Sequence, residues 1–390
     1  MQNIELKKLV TDESEKNRLL NEVIETPLQF SEEKFKRLLD EDIALDFVDI
    51  RNCVYRIFDI NEKIFEEESD ANIAPNRKSQ KKRSKNFYQR FRDGWDRTAN
   101  GNKVIVAEGD SWFEFPFFID DIIDQLNKYD KYAIYSLAYG GDWLTNIIYD
   151  GRYIEKISSF NPDVFLVSGG GNDLVGSGRI GLMVNRLCNC ESKYKSPEEI
   201  RDRYQKLYGS MNNLTDGDIR TFGVIQASIT KAFHSFILVM KLQYWLMFSN
   251  VHRKFPKMKI ITQAYDYALP SPKFYNNPFA WRFYVNRMLG TGKWLAVPLT
   301  IAGITSAETQ AQIVRFMIFE FNLMFAEIAA AQDNVFHIDC RNVARSKNDW
   351  YDELHLKSSR FAVVGKAYHR CIESDNAAQK IYFAKDEQEG

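Results

Sequence analysis

KVIVAEGDSWF, residues 103–113, is the stretch on which the reading of this chain turns. Lys103 to Ala107 is a short apolar run that reads as a buried β-strand, and the acidic turn Glu108-Gly109-Asp110 delivers Ser111 at its C-terminal end. Open α/β sheets place ligands at that end. Ser111 is therefore a candidate nucleophile. Gly, Asp and Ser all favour turns, so the three residues alone read more simply as a strand-ending turn.

Working outward, the pattern after residue 103 alternates strands with helices, which predicts a mostly parallel sheet covered on both faces. Further strands are expected at 132–137, 163–168, 259–264 and 334–339, making five. Helices are expected at 115–129, with Pro116 near its start, and at 147–160, 224–255, 307–331 and 360–372. Two stretches interrupt the alternation. Residues 174–222 are polar and irregular with a short helix at 197–208, and about 265–305 holds Pro270, Pro272, Pro278 and Pro298 among aromatic residues.

The chain thus divides into a helical, charged N-terminal extension over 1–100, an α/β domain over 101–373 carrying the two insertions, and a polar tail over 374–390 that should fray. In the extension, Leu19, Leu20, Val23 and Ile24 share one helical face. Residues 75–97, PNRKSQKKRSKNFYQRFRDGWDR, are strongly basic with interleaved aromatics. The acidic run at 66–70 offsets them, which favours a solvated linker or helix face over a nucleic-acid or anionic-membrane patch.

Composition bounds the function. The 390 residues are 45% hydrophobic and 27% charged, with Lys+Arg 52 against Asp+Glu 53 and a net charge of -1, so nucleic acid is not expected as an obligatory partner. The first twenty residues have no apolar core, so no signal peptide is expected and a cytoplasmic location is. The longest apolar stretches, 236–248 broken by Lys241 and 294–304, fall short of the ~20 residues that span a bilayer. Cys53, Cys188, Cys190, Cys340 and Cys371 are odd in number and scattered, which argues against a disulfide framework. Cys188-Asn-Cys190 lacks the spacing of a zinc pair, so no metal is expected there.

A nucleophilic serine needs a base, a residue to orient that base, and donors for the oxyanion. His234 and His252 fall in the long helix, His337 in a strand and His369 in the last helix, positions that suit structural or surface roles. His355 lies in a loop with Asp352 three residues before it, so the carboxylate can reach the imidazole. Tyr139-Gly140-Gly141-Asp142 and Ser168-Gly169-Gly170-Gly171-Asn172-Asp173 follow the second and third strands and should emerge on the same sheet edge as Ser111. Each turn alone also reads as a strand-to-helix turn whose Asp or Asn is an N-cap.

Taken in order, GDS at 109–111, a glycine before Asp142, GGND at 170–173 and DxxH at 352–355 resemble the blocks of the SGNH (GDSL) hydrolase superfamily. The resemblance covers about 103–372. It implies a three-layer α/β/α flavodoxin-like fold and, residue by residue, Ser111 as nucleophile, His355 as general base and acid, and Asp352 as its orienting carboxylate. It also implies an oxyanion hole from the backbone N–H of Ser111 and Gly141 and the side chain of Asn172, with Gly140 a weaker alternative to Gly141. Leu356 departs from the resemblance, because many relatives have proline there.

The implied activity is carboxylic ester hydrolysis, with a small-molecule or lipid ester as substrate and no metal or organic cofactor required. The aromatic stretch 274–304, with Arg282, Arg287 and Lys293, suits an apolar acyl chain or peripheral contact with a membrane, or else packs on its own small core. An acyltransferase using the same triad is the alternative, as is a regulated effector or assembly subunit, homo-oligomeric or not, acting through its N-terminal helices.

Overall fold

The computed structural model describes residues 2–60, 73–115, 119–185, 195–211, 213–271 and 294–386, with side chains described from residues 13 and 78 onward in the first two stretches. Pro116, Cys188, Cys190, the acidic run 66–70 and most of the aromatic insertion, with Pro272, Pro278, Arg282, Arg287 and Lys293, lie outside the described residues.

The chain begins with helices α1 (Gln2–Glu25), α2 (Glu32–Leu38), α3 (Phe47–Phe58) and α4 (Ile73–Arg92). Strand β1 (Lys103–Gly109) follows, then α5 (Ile122–Leu126), β2 (Tyr132–Ser136), α6 (Leu144–Asp150), α7 (Arg152–Phe160) and β3 (Val164–Ser168). Next come α8 (Gly171–Val175), α9 (Pro197–Tyr208), α10 (Asp216–Ile225), α11 (Lys231–Lys254) and β4 (Lys259–Gln263). The last elements are α12 (Ala296–Ile301), α13 (Ala307–Ala331), β5 (Val335–Asp339), α14 (Ser358–Glu373) and β6 (Ile381–Phe383).

All strand pairs are parallel, in the order β2-β1-β3-β4-β5-β6. The first five follow the flavodoxin-type doubly wound order, whose switch point lies between β1 and β3. The strands are buried almost throughout, as expected when both faces are covered. On β5, His337 meets α13 through Asn322 at 3.2 Å, while its neighbour Phe336 lies under the Lys259 ammonium, which binds carbonyls at the end of α14. Successive residues of a strand point to opposite faces, so α13 and α14 cover opposite faces of the sheet.

Several expectations need correction. Among the described residues the sheet has six strands, because the tail does not fray at 381–383: it pairs His337–Asp339 with Ile381–Phe383 and buries Tyr382. The helix expected at 115–129 is only Ile122–Leu126. Asp121 caps that helix by accepting from Ile123 and Asp124 N–H and also accepts from Phe115 N–H. The helix expected at 147–160 breaks at Gly151, which adopts φ 61, and the one expected at 224–255 begins only at Lys231, after the turn at Gln226–Ser228, while α10 occupies 216–225, in and beside the stretch expected to be irregular. Helices α9 and α13 have the boundaries read from sequence.

The N-terminal helices pack on the rest of the chain. Leu19, Leu20, Val23 and Ile24 are buried, the Ile24 carbonyl accepts from Ser235 Oγ of α11 at 3.1 Å, and Phe58 meets Phe236 at 6.0 Å between ring centroids. The expectation of a solvated basic face on α4 suits the exposed Lys81, Lys82 and Lys85. It is corrected at Arg83 and Phe87, which are buried because carboxylates and the aromatic residues Tyr135 and Phe160 receive them. No helix among the described residues is long and apolar enough to cross a membrane.

Candidate active site

The end of β1 is built around contacts that only small residues permit. A Cβ on Gly109 would stand 2.5 Å from the Ser168 carbonyl, so glycine lets β1 and β3 close together there. The Asp110 carbonyl then accepts from Phe113 and Glu114 N–H, both at 3.0 Å, which wraps the chain into a tight turn with half-buried Ser111 at its head. The Asp110 side chain is fully buried. Its Oδ1 accepts from Trp112 N–H at 3.0 Å and Ser168 Oγ at 3.3 Å, and its Oδ2 from the Tyr265 hydroxyl. Burial raises the Asp110 carboxyl above its ordinary range, against the lowering effect of those donors.

His355, the candidate base, lies in the loop between β5 and α14. Asp352, fully buried, accepts from the backbone N–H of Leu354 and of His355, each at 2.8 Å, and from His355 Nδ1 at 2.9 Å. A carboxylate at Nδ1 fixes the proton there and leaves Nε2 as an acceptor. Nε2 lies 2.7 Å from Ser111 Oγ, so the hydroxyl donates to the imidazole. The ring packs against Phe115 at 4.6 Å and Trp294 at 6.0 Å between centroids, and His355 is 3% exposed. Leu356, where the resemblance led to proline, pairs with Trp350 in an antiparallel bridge, and Tyr351 N–H donates to the His355 carbonyl at 2.8 Å. Hydrogen bonds thus hold this loop where a proline ring would otherwise restrict it.

The two glycine turns meet beside the serine. Tyr139 N–H donates to the Gly109 carbonyl at 2.8 Å, which sets the 139–142 turn against the turn that carries Ser111. Gly141 adopts φ 94, in the left-handed region that favours glycine, and is half-buried, while Gly140 is buried. Asn172 opens α8, and its Nδ2 donates to the Asp142 carbonyl at 3.0 Å. Asp173 does act as a cap, but for the other turn's helix: it accepts from Leu144 N–H at 2.7 Å and from Thr145 N–H at 3.4 Å. Ser111 and Asn172 line one apolar cavity of about 50 Å³ with Phe233, Met317, Ile318 and Phe321.

The remaining histidines lie elsewhere. Burial lowers His234 and His337 to about 4, and His369 stacks on Tyr129 at 4.0 Å. Cys53, Cys340 and Cys371 are buried free thiols, and no cluster of His, Cys, Asp or Glu that could hold a metal ion occurs among the described residues.

Four residues that sequence reading missed support the site. Tyr265 spans the Asp110 carboxylate and the Gly171 N–H, which donates to its hydroxyl at 2.9 Å. Arg179 donates to the Asn172 carbonyl at 2.7 Å and the Asp173 carbonyl at 2.9 Å while lying 3.7 Å over the Trp143 ring. Glu353 and Arg83 complete the set and are treated below. Glu353 stands inside the Asp352–His355 motif, but the other three stand at no fixed offset from a motif, so only three-dimensional proximity reveals them.

No protein-family model and no curated protein matches the chain. Among solved structures, the chain is similar to one described as a "putative GDSL-like lipase" from Parabacteroides merdae, with 12% identity and a TM-score of 0.28 over 67% of this chain and 93% of that one.

Proposed function

We propose that this chain is a serine hydrolase of the SGNH type that cleaves carboxylic esters of apolar acyl groups through an acyl-enzyme on Ser111. The observation that carries the reading is the unbroken hydrogen-bonded line from Asp352 through His355 to Ser111 at the wall of an apolar cavity.

In the first half-reaction, Ser111 Oγ forms a bond to the ester carbonyl carbon as its proton passes to His355 Nε2. Asp352 holds the imidazole and stabilises the imidazolium that forms. The carbonyl oxygen becomes an oxyanion, which the N–H of Ser111 and Gly141 and the second hydrogen of Asn172 Nδ2 receive. The tetrahedral intermediate collapses by breaking the bond to the alcohol oxygen, which leaves with the His355 proton. Water then attacks the acyl carbonyl while His355 takes its proton, and Ser111 departs with that proton restored.

The cavity sets the acyl preference. Apart from Asp110, Ser111 and Asn172 its lining is aliphatic and aromatic, and its volume of about 50 Å³ suits a short apolar acyl chain. Groove-lining Leu182 and Ile301 and nearby Val297 are exposed where Trp294 borders both the groove and His355. Such surface suits an ester presented with lipid.

The test is a series of p-nitrophenyl esters of increasing chain length, run beside phospholipid vesicles and Ser111→Ala. Turnover that peaks at acyl chains of about four to six carbons and falls about 10⁴-fold or more in Ser111→Ala is expected. A parent protein that neither turns over any ester nor is labelled at Ser111 by a fluorophosphonate refutes the reading.

A further inference from the structure

Helix α4 comes from the charged N-terminal extension, yet it touches both halves of the candidate active site. Gln80 Nε2 donates to the carbonyls of Leu137 and Ala138, each at 2.9 Å. These are the last carbonyls before the Tyr139–Gly141 turn. One helical turn later, Arg83 is only 6% exposed and reaches the segment that follows Ser111. Its guanidinium donates to the Phe113 carbonyl and pairs with Glu114 at 2.9 Å, with Asp121 at 2.6 Å and with Asp124 at 3.1 Å.

Glu114 lies in the Ser111–Phe115 segment, whereas Asp121 caps α5 and Asp124 lies within it. Glu114 and Asp121 are both fully buried, and Asp121 Oδ2 also accepts from Phe115 N–H at 2.8 Å. The Phe115 ring packs against the His355 imidazole at 4.6 Å. Arg83 therefore bears on Ser111 through the turn at Phe113 and on His355 through Phe115. Withdrawing Arg83 removes the guanidinium that links the Phe113 carbonyl, Glu114 and Asp121 and leaves two buried carboxyl groups without their cation, which weakens the hold on this segment. Lys82, exposed on the same helix, has no such reach.

We propose that Gln80 and Arg83 are positioning residues by which α4 fixes the Gly141 turn and the Ser111–Phe115 segment relative to each other. The extension is then part of the frame of the catalytic centre. This rests on the serine-hydrolase reading above. Neither residue touches the reacting atoms; both act by holding two donor-bearing turns at one spacing, and a displacement of 1 Å at such a site can cost ~10²-fold in rate.

The experiment uses the full chain carrying Gln80→Ala, Arg83→Met, Arg83→Lys and, as control, Lys82→Ala. Each is measured far below its melting temperature for fluorophosphonate labelling rate at Ser111 and for kcat and KM on a short p-nitrophenyl ester. Arg83→Met should lower kcat and the labelling rate about 10- to 100-fold with KM within about 2-fold, and Arg83→Lys should recover part of the loss. Gln80→Ala, whose partners are two main-chain carbonyls, should fold normally and lose about 3- to 10-fold in both rates. Lys82→Ala should match the parent.

Should Arg83→Met fail to fold, Gln80→Ala still decides the matter. Parent-like labelling and kcat in folded Gln80→Ala and Arg83→Met, or a loss confined to KM, overturns the positioning role while leaving the hydrolase reading intact. A parent protein that is neither labelled nor active overturns both.

Discussion

Asn172 Nδ2 donates to the main-chain carbonyl of Asp142 at 3.0 Å, so the turn after β3 is tied to the turn after β2 beside Ser111. An amide nitrogen carries two hydrogens, and this bond uses one. The other remains for an oxyanion, and the bond to Asp142 fixes the direction in which it is offered.

Asn172→Ala should therefore lower kcat about 10²- to 10³-fold, or about 2.7–4 kcal/mol in the barrier, with little change in KM. Steady-state kinetics on a short ester check this. Asn172→Asp should be worse, because it replaces the donor with a carboxylate that faces the Asp142 carbonyl and the developing oxyanion. Equal kcat in parent and Asn172→Ala would remove Asn172 from the oxyanion hole.

Asp352 sets the tautomer of His355. In Asp352→Asn the amide can present its NH₂ to Nδ1, which shifts the ring proton to Nε2, where it opposes the Ser111 hydroxyl. A loss of about 10⁴-fold in kcat with a near-parent melting temperature is expected. Asp352→Ala leaves the buried N–H groups of Leu354 and His355 unpaired, so it should in addition lose about 1–3 kcal/mol of stability per group. Chemical denaturation of the two variants separates the effects. Similar instability in both would mean that Asp352 serves the loop rather than the imidazole.

Glu108 gives a pH signature. Its carboxyl is buried beside the oxyanion turn, and burial, followed by the nearby Asp142 carboxylate, raises it to about 8. Below its ordinary value near 4.5 the folded and unfolded chains are both protonated and Glu108 favours neither. As pH climbs from there, the unfolded chain ionises first, so native stability falls until pH passes about 8. Glu108→Gln removes that loss. Its melting temperature should match the parent near about pH 5 and exceed it by at least about 2 °C near about pH 8.5. A difference that does not grow with pH would place the ionisation elsewhere.

The same residues show what a sequence can disclose. The candidate nucleophile, base and orienting carboxylate stand within or next to short motifs whose spacing is imposed by local chemistry, Asp352 and His355 being one turn apart. The residues that hold those motifs in place answer to no local spacing. Tyr265 lies 155 positions from the Asp110 carboxylate it binds, and Gln80 lies 57 from the Leu137 carbonyl. Parallel topology brings them together. Apolar periodicity found α13 complete but began α11 at 224 instead of Lys231, because the turn at Gln226–Ser228 keeps the apolar content of the run while Ile229 leaves to bridge Val184, and it missed α10 in the stretch read as irregular. The tail looked too polar to order, yet every second residue of 380–384 turns inward, and Tyr382 and Ala384 are buried.

Glu353, between Asp352 and His355, joins the base loop to the chain on both sides of the aromatic insertion. Its Oε1 accepts from the N–H of Ser271 at 2.9 Å and Ala296 at 3.0 Å, and its Oε2 from Trp294 at 3.0 Å and Leu295 at 3.2 Å. Trp294 packs on His355 and Leu295 lines the acyl cavity, so the carboxylate positions one wall of the site through the main chain. Glu353→Gln turns one acceptor into an NH₂ that opposes N–H donors, and Glu353→Ala leaves four N–H groups without it. Each should lower the melting temperature, the alanine more, since unpaired buried donors destabilise by about 1–3 kcal/mol apiece. The sharper expectation is kinetic. As Leu295 shifts, KM for the longer esters in the series should rise about 3- to 10-fold while kcat for the shortest changes less, because the hydrogen bonds from Asp352 to His355 remain. Thermal melts and the ester series measure the two effects. A lower melting temperature with the parent's chain-length profile would leave Glu353 a stabilising residue with no part in acyl selection.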